Sequence, residues 1–114
     1  MEISNAVTAL SALAQGTRLN VFRLLMEAGP EGLPATAIAD ALGVRQNLMS
    51  SHLNILADAG LTRTRRDGRF IYHAVDPAET RALLSFLVED CCGGRPEQCA
   101  PLIDAVLPVD HCCG

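Results

Sequence analysis

The sequence predicts a mainly α-helical fold completed by one β-hairpin. Three observations predict it. Apolar residues recur at helical spacing through the first 60 residues. A strand-like alternation of apolar and charged residues follows directly, and a chain of 114 residues suffices for one domain with a single core. We expect that domain to occupy residues 1–90 and a separate tail to occupy residues 91–114, where all five cysteines lie.

Apolar stripes predict the first two helices. The stripe in residues 3–14 can pack against the body of the protein or against a second copy; its members are Ile3, Val7, Leu10 and Leu13. Gly16 and Thr17 then predict a break and an N-cap for the next helix. The core-facing side chains of that helix are expected to be Leu19, Phe22, Leu25 and Met26. Arg18 is predicted to be a solvated surface charge, with a hydrogen bond to a neighbouring element as the alternative.

Residues 33–60 predict two short helices joined by a tight turn. Pro34 suits the first turn of a helix that Gly43 ends. The helix after Val44 has an apolar stripe and ends at Gly60, which suits a left-handed cap. This stripe consists of Met49, Leu53, Leu56 and Ala59.

The second of these helices carries short polar side chains on the face opposite its apolar stripe. They are Gln46, Asn47, Ser50, Ser51 and Asn54, and Arg45 precedes them at the start of the helix. Such side chains can hydrogen-bond to base edges without repelling phosphate. The two helices are therefore predicted to be a helix-turn-helix that places its second helix in the major groove of double-stranded DNA. The alternative is a helical hairpin that only packs into a small bundle.

After the second helix the pattern becomes that of a β-hairpin. Apolar or β-branched residues alternate with charged ones in residues 61–66 and 69–75, which predicts two strands. Asp67-Gly68 lies between them and has the composition of a two-residue hairpin turn. A hairpin directly after a DNA-reading helix is typical of a wing.

Basic residues are concentrated in the same region. The stretch from Val44 to His73 contains five Arg against two Asp, a local charge of +3 in a chain whose net charge is -4. One basic surface on an acidic body can still bind a phosphate backbone. Arg65, Arg66 and Arg69 of the hairpin are predicted to contact sugar-phosphate beside the groove. The alternative is a solvated edge whose charges only oppose strand pairing.

A last helix is predicted to begin at Pro77, in the stretch PAETRALLSFLVEDCC. It is apolar on more than one side, which is unusual for the surface of a monomer and indicates a partner helix. We expect it to form a homodimer interface together with residues 3–14. Two-fold symmetry would then present two DNA-reading helices to a palindromic operator.

The residues from ALGV through Gln46, His52 and the wing RRDGRFIYH resemble the winged-helix domain of the ArsR/SmtB metal- and metalloid-responsive repressors. The resemblance implies a homodimeric winged helix-turn-helix that occupies an operator when ligand-free and leaves it when a metal or metalloid binds. Arg45 departs from the family pattern, in which a Ser-like helix cap is common. His52 lies near the apolar face of its helix, and we interpret it as a half-buried structural residue rather than a DNA contact.

The sequence also predicts the cellular localisation of the protein. No basic leader with an apolar core occurs at the N-terminus, and no run of 18 uncharged apolar residues occurs anywhere. We therefore expect a cytoplasmic protein with no membrane partner. In a reducing cytosol, cysteines indicate metal or redox roles more often than structural disulfides. Their thiolates are soft ligands that select soft, thiophilic ions.

The segment CCGGRPEQC resembles the C-terminal arsenite motif of one ArsR branch. The resemblance implies that Cys91, Cys92 and Cys99 bind arsenite as the inducer, and that antimonite can substitute for it. Zinc is an alternative ligand, because His111 stands beside two further cysteines, Cys112 and Cys113. A second alternative is a thiol-redox sensor in which Cys92 and Cys99 form a disulfide.

Together these features predict a repressor concerned with arsenical resistance rather than an enzyme. A thiol oxidoreductase or an arsenate reductase needs a reactive cysteine between a strand and a helix, whereas these cysteines follow a predicted helix. A module whose tail merely sequesters metalloid is the non-regulatory alternative.

Overall fold

The computed structural model describes residues 1–89, and it confirms the mainly α-helical fold with a β-hairpin. In chain order the elements are α1 (Ile3–Leu13), α2 (Gly16–Ala28), β1 (Leu33–Pro34), α3 (Ala35–Leu42), α4 (Gln46–Asp58), β2 (Thr62–Asp67), β3 (Phe70–Val75) and α5 (Pro77–Glu89). The predicted tail at residues 91–114 lies outside the described residues. Among the described helices, none has the length and the apolar run that spanning a membrane requires.

The three strands form one antiparallel sheet in the order β1-β3-β2. The two-residue strand β1 was not predicted from the sequence. In the hairpin of β2 and β3, the last residue pair is Asp67 with Phe70. The turn is therefore Gly68-Arg69, and the predicted Asp67-Gly68 turn is wrong by one residue. Gly68 has a φ of 61° and Arg69 a negative φ, the residue order of a type II′ turn.

The core lies where α2, α3 and α4 meet the base of the sheet. Its largest fully buried side chains are Val21, Leu25, Ile38, Met49, Leu53, Leu56 and Leu61. The three that α4 contributes confirm the apolar stripe predicted for that helix. They also fix the orientation of α4, because the face opposite a buried stripe must point outward.

The buried face of α2 differs from the predicted one. Val21 and Leu25 are fully buried, whereas Leu19 and Met26 are 44% and 53% exposed. At 3.6 residues per turn, Leu19 and Met26 lie roughly 140–160° around the helix from Val21, so they cannot share its face. Phe22 packs against the core from the edge of this face, as predicted.

The N-terminus of α2 is capped by a residue that sequence analysis did not select. The helix begins at Gly16, and the side-chain oxygen of Gln15 accepts the N–H of Arg18 at 2.8 Å. Thr17 is therefore inside the first turn and not the cap. The glutamine side chain thereby satisfies one of the open N–H groups of the first turn.

Helix α1 has two apolar faces. One consists of small residues that pack closely on the body, each no more than 3% exposed: Ala6, Ala9 and Ala12. The other consists of three residues of the predicted stripe, which we call the α1 stripe: Ile3, Val7 and Leu10, 72%, 56% and 41% exposed. The alanine face packs on the body of the protein, and the α1 stripe is free to pack against a second copy, so α1 can make both of the contacts that the sequence left open.

Helix α5 begins at Pro77, as predicted. The carboxylate of Asp76 caps it by accepting two N–H groups of its first turn at 3.0 and 3.2 Å. Leu83 is buried in the core, whereas Leu84 and Leu87 are 55% and 43% exposed. The helix therefore leaves large apolar side chains uncovered in the described single chain, as its sequence predicts.

Candidate nucleic-acid interface

The turn between α3 and α4 has the geometry predicted for it. Gly43 ends α3 in the left-handed conformation, with φ 65° and ψ 35°. The N–H of Val44 then bonds to the carbonyl of Ala39 at 3.0 Å, which closes the end of α3. Only Val44 and Arg45 lie between Gly43 and the start of α4, so the two helices form one compact helix-turn-helix.

The other end of α4 is closed by a Schellman motif. Gly60 has a φ of 82°, and its N–H bonds to the carbonyl of Ala57 at 2.9 Å. The N–H of Leu61 bonds to the carbonyl of Leu56 at 3.1 Å, and both of these leucines are buried. This motif joins the helix directly to the wing, so the position of one constrains the position of the other.

The polar face of α4 points outward, as predicted. Asn47, Ser50, Ser51 and Asn54 lie at positions i, i+3, i+4 and i+7, and all four are exposed. Gln46 is exposed at the first position of the helix. The three side-chain amides make no hydrogen bond within residues 1–89, so their donors and acceptors are available to a partner.

The two serines of this face bond to their own helix. The Ser50 hydroxyl donates to the Gln46 carbonyl at 3.1 Å, and the Ser51 hydroxyl donates to the Asn47 carbonyl at 3.5 Å. A hydroxyl that donates to its own helix still has acceptor lone pairs directed outward. In this geometry both serines can accept a hydrogen bond from a base amino group without leaving the helix.

Within residues 1–89, no side chain caps the first turn of α4. Arg45 occupies the cap position in an extended conformation, with φ -60° and ψ 142°. Its guanidinium can only donate hydrogen bonds, so it cannot accept a backbone N–H as a Ser-like cap does. The open N–H groups and the positive end of the helix dipole therefore face solvent beside an exposed guanidinium. This end of α4 is well suited to a phosphate group.

The three arginines predicted to contact DNA from the wing have different surroundings. Arg66 and Arg69, at the end of β2 and in the turn, are exposed and have no hydrogen-bond or ion-pair partner within residues 1–89. Arg65 is held on the protein. Its guanidinium donates to the Glu31 carbonyl at 3.0 Å and lies 4.6 Å from the centre of the Tyr72 ring.

Arg65 therefore has a structural role that sequence analysis did not identify. It ties the wing to the loop before β1, and a further ion pair at 3.7 Å joins it to Asp67. Because its side chain remains 50% exposed, its predicted contact with phosphate stays a prediction beside this observed role. The alternation of the sequence placed Arg65 and Tyr72 on strands but gave no indication that they face each other across the sheet.

One arginine outside the wing connects three helices. The Arg18 guanidinium on α2 donates to the carbonyl of Ala12 in α1 at 2.6 Å, and it lies 3.4 Å from Nδ1 of His52 in α4. Arg18 is thus not a merely solvated charge. His52 is half-buried against it, in agreement with the structural interpretation of this histidine.

The second histidine of the described region lies in the sheet. Nδ1 of His73 is buried without a hydrogen-bond partner in residues 1–89, and burial lowers the pKa of this side chain. Its backbone is packed against Gly32, where an added Cβ atom would clash with the His73 carbonyl oxygen. The close approach of the loop to β3 therefore requires glycine at position 32.

The predicted arsenite ligands Cys91, Cys92 and Cys99 lie outside the described residues, as do Cys112 and Cys113. Within residues 1–89, no group of three or more His, Cys, Asp or Glu side chains is placed to hold a metal ion.

A helix-turn-helix with an exposed polar second helix and an arginine-bearing wing defines a class, that of winged helix-turn-helix DNA-binding regulators. Residues 13–65 match a family model described as a helix-turn-helix domain. The chain is 36% identical over 72 residues to the uncharacterized HTH-type transcriptional regulator MJ1325 of Methanocaldococcus jannaschii, covering 62% of this chain and 79% of that protein. It is 26% identical over 84 residues to the transcriptional activator HlyU of Vibrio cholerae, covering 74% and 75%.

Solved structures agree with these relatives. HlyU superposes with a TM-score of 0.63 over 81% of this chain and 99% of its own. The homodimeric winged helix-turn-helix domain of Mb0332 from Mycobacterium bovis, described as a possible ArsR-family regulator, is 27% identical with a TM-score of 0.63, covering 78% and 83%. A possible transcriptional regulator for arsenical resistance is 26% identical with a TM-score of 0.62, covering 84% and 94%. The chain belongs to the ArsR family of winged helix-turn-helix transcriptional regulators.

Proposed function

We propose that the protein is a homodimeric repressor that occupies a palindromic operator and is released when arsenite binds Cys91, Cys92 and Cys99. The observation that carries the DNA-binding part is the outward face of α4. It is polar and exposed, and from Gln46 to Asn54 it holds no carboxylate. Base edges can be read by such a face, because the amides and hydroxyls both donate and accept.

Charges around this face support the same conclusion. Arg45 lies at one end of α4, beside N–H groups that no side chain of residues 1–89 caps, while Arg66 and Arg69 lie at the free end of the wing. Backbone phosphates would then be bound on both sides of the helix that reads the bases. The two sets of side chains would have different roles, because the arginines position the protein and the α4 face specifies the sequence.

The proposed dimer rests on the uncovered apolar side chains of α1 and α5. The α1 stripe is too exposed to contribute to the core of the described single chain, and α5 packs against α1. A second copy related by a two-fold axis would cover both helices at once. The similarity to Mb0332, whose domain is described as homodimeric, supports this assembly.

The proposed inducer rests on the distribution of the cysteines. All five fall within the last 24 residues, and the first of them comes two residues after the end of α5. Thiolates bind arsenite because both partners are soft. The similarity to a regulator described in connection with arsenical resistance supports the same ligand class. Antimonite, which shares this chemistry, is expected to substitute.

Release would follow from linkage between this tail and the dimer. A soft ion that joins the three sulfurs would tie the end of α5 to the segment after it, and α5 packs on α1, the proposed dimer helix. A dimer biased in this way would no longer match the spacing of successive major grooves. The coupling required is about 1–3 kcal/mol, the usual range between two linked sites.

The test is a titration of the full-length protein against the DNA upstream of its own gene, followed by fluorescence anisotropy with and without arsenite. Operator affinity should fall on adding arsenite, and Cys91→Ser, Cys92→Ser and Cys99→Ser should each bind the operator normally and fail to release it. Cys112→Ser is the matched control. Equal affinity with and without arsenite would refute the inducer, whereas absence of operator binding in any condition would refute the regulator itself.

A thiol-redox regulator is the second candidate, and one observation favours it. A structure of HlyU, 26% identical to this chain, is described as reduced HlyU. In that case Cys92 and Cys99 would form a disulfide, and oxidant rather than arsenite would release the DNA. The same titration with oxidant, and with zinc as a further arm, separates the candidates. A reporter gene shows whether operator binding represses transcription.

A further inference from the structure

An apolar groove lies on the side of the molecule formed by α2, α5 and the base of the sheet. Its volume is about 640 Å³. We call it the α2–α5 groove; the residues that matter here are Met26, Arg63, Val75, Arg81 and Leu84. Met26 and Leu84 are 53% and 55% exposed within it, two of the large apolar side chains left uncovered. The α1 stripe does not line this groove. Leu84 belongs both to the groove and to the uncovered side of α5 on which the proposed dimer rests.

The groove is apolar at its centre and basic at two positions. Arg63 of β2 and Arg81 of α5 both line it, and neither has a hydrogen-bond or ion-pair partner within residues 1–89. A fitting occupant therefore has aliphatic side chains together with a carboxylate.

We propose that residues 101–109 of the same chain, PLIDAVLPV, dock into the α2–α5 groove. Asp104 is the only side chain of this segment with a polar atom. Over residues 90–114 the chain has one Arg against four acidic residues, a net charge of -3, opposite in sign to the two arginines of the groove. The segment thus matches the groove in both apolarity and charge.

The connection of the chain makes this docking geometrically simple. Helix α5 lines the groove with Pro77, Arg81 and Leu84, and it continues directly into the tail. The 11 residues 90–100 that precede the docking segment can span up to roughly 36–40 Å when extended. The whole of α5, 13 residues, is only about 20 Å long. Gly93-Gly94 and Pro96 in this connection allow the reversal of direction that docking requires.

Docking would place an acidic segment at the base of the wing. Arg63 belongs to the same strand as Arg66, so a carboxylate bound there lowers the positive potential offered to DNA. The tail would then act on the DNA-binding surface through a contact distinct from the proposed arsenite ligands, all of which precede residue 101.

The natural methionines make the docking directly measurable. In full-length, reduced protein labelled with ¹³C at the methionine methyls, Met26 reports on the groove, while Met49, which is 0% exposed, reports on the fold. We expect nuclear Overhauser effects from the Met26 methyl to the Leu102 and Val106 methyls. The double variant Leu102→Ser, Val106→Ser should lose them and shift the Met26 signal without moving that of Met49.

A charge exchange tests the proposed ion pair. Arg81→Glu should shift the Met26 signal as the double variant does, and adding Asp104→Arg should restore it. Arg23→Glu, on an exposed arginine of α2 that does not line the groove, is the matched control and should change nothing.

Two results would overturn the proposal. One is a Met26 methyl with no contact to residues 101–109 in the unaltered protein. The other is contacts that appear only between differently labelled copies in a mixed sample, since the occupant would then be the tail of a second chain. The labelled sample contains neither DNA nor arsenite, so a negative result in this experiment would refute the docking without bearing on the proposed repressor function.

Discussion

Replacing Arg66 by Ala tests the proposed wing contact most directly. Arg66 is exposed and has no partner within residues 1–89, so its removal should leave the free energy of unfolding within about 0.5 kcal/mol of the unaltered protein. Binding to DNA should weaken on all sequences alike, because a phosphate contact carries no base information.

The size of the effect follows from counterion release. Each lost phosphate contact lowers the slope of log Kobs against log salt by about 0.9, so a dimer that loses one contact per wing changes its slope by about 1.8. Between 50 and 200 mM salt, the difference in affinity between the unaltered protein and the variant should therefore shrink by a factor of ~12.

The assay is fluorescence anisotropy with operator and with unrelated duplex at four or more salt concentrations. Arg23→Ala, an exposed arginine far from the wing in sequence, is the control and should keep the full slope. Arg65→Ala gives a contrast, because it also loses the contact with Tyr72 and should cost stability, about 0.5–1 kcal/mol for that contact alone. An Arg66→Ala variant with unchanged slope and affinity would show that the wing does not bind phosphate.

Three further predictions concern stability and assembly. Gly32→Ala should lower the free energy of unfolding in urea by about 2–5 kcal/mol, because it combines a positive φ with a clash at His73. Gly43→Ala also has a positive φ but meets open space, so it should cost only about 1–2 kcal/mol. Equal losses in the two variants would contradict this reasoning. Burial lowers the pKa of His73, so as the pH falls the unfolded state is protonated at this histidine before the folded state is. The free energy of unfolding should therefore decrease as the pH drops below about 6.5. His73→Asn should flatten this part of the profile of stability against pH, and an unchanged profile would exclude His73 as its source. Val7→Glu should convert the proposed dimer to monomers in analytical ultracentrifugation without loss of helical signal, and a persistent dimer would place the interface elsewhere.

The sequence was sufficient to predict the helices and the wing because their signals are local. Gly43 and Gly60 end helices by a backbone conformation that few other residues adopt, and the apolar stripe of α4 has a clear helical period. The outward polar face of α4 follows from that stripe alone, so its five polar residues could be predicted without coordinates.

The features that the sequence did not predict depend on contacts between distant residues. Strand β1 is two residues long, too short for an alternation, and its partner strand lies about forty residues further along the chain. The hydrogen bond from Arg65 to the Glu31 carbonyl spans 34 residues. The exposure of Leu19 and Met26 has the same origin, because which side of α2 is buried depends on where the other helices pack.

The contacts of Arg18 have a consequence for the proposed regulation. One guanidinium bonds to the end of α1 and lies against His52 in the middle of α4, so the helix proposed for dimerisation and the helix proposed for base reading share a rigid support. A rotation of one protomer relative to its partner would therefore carry each base-reading helix with it as a fixed unit. The dimer interface, which does not itself contact DNA, would then set the spacing between the two base-reading helices and so the spacing of the major grooves that the dimer can bind.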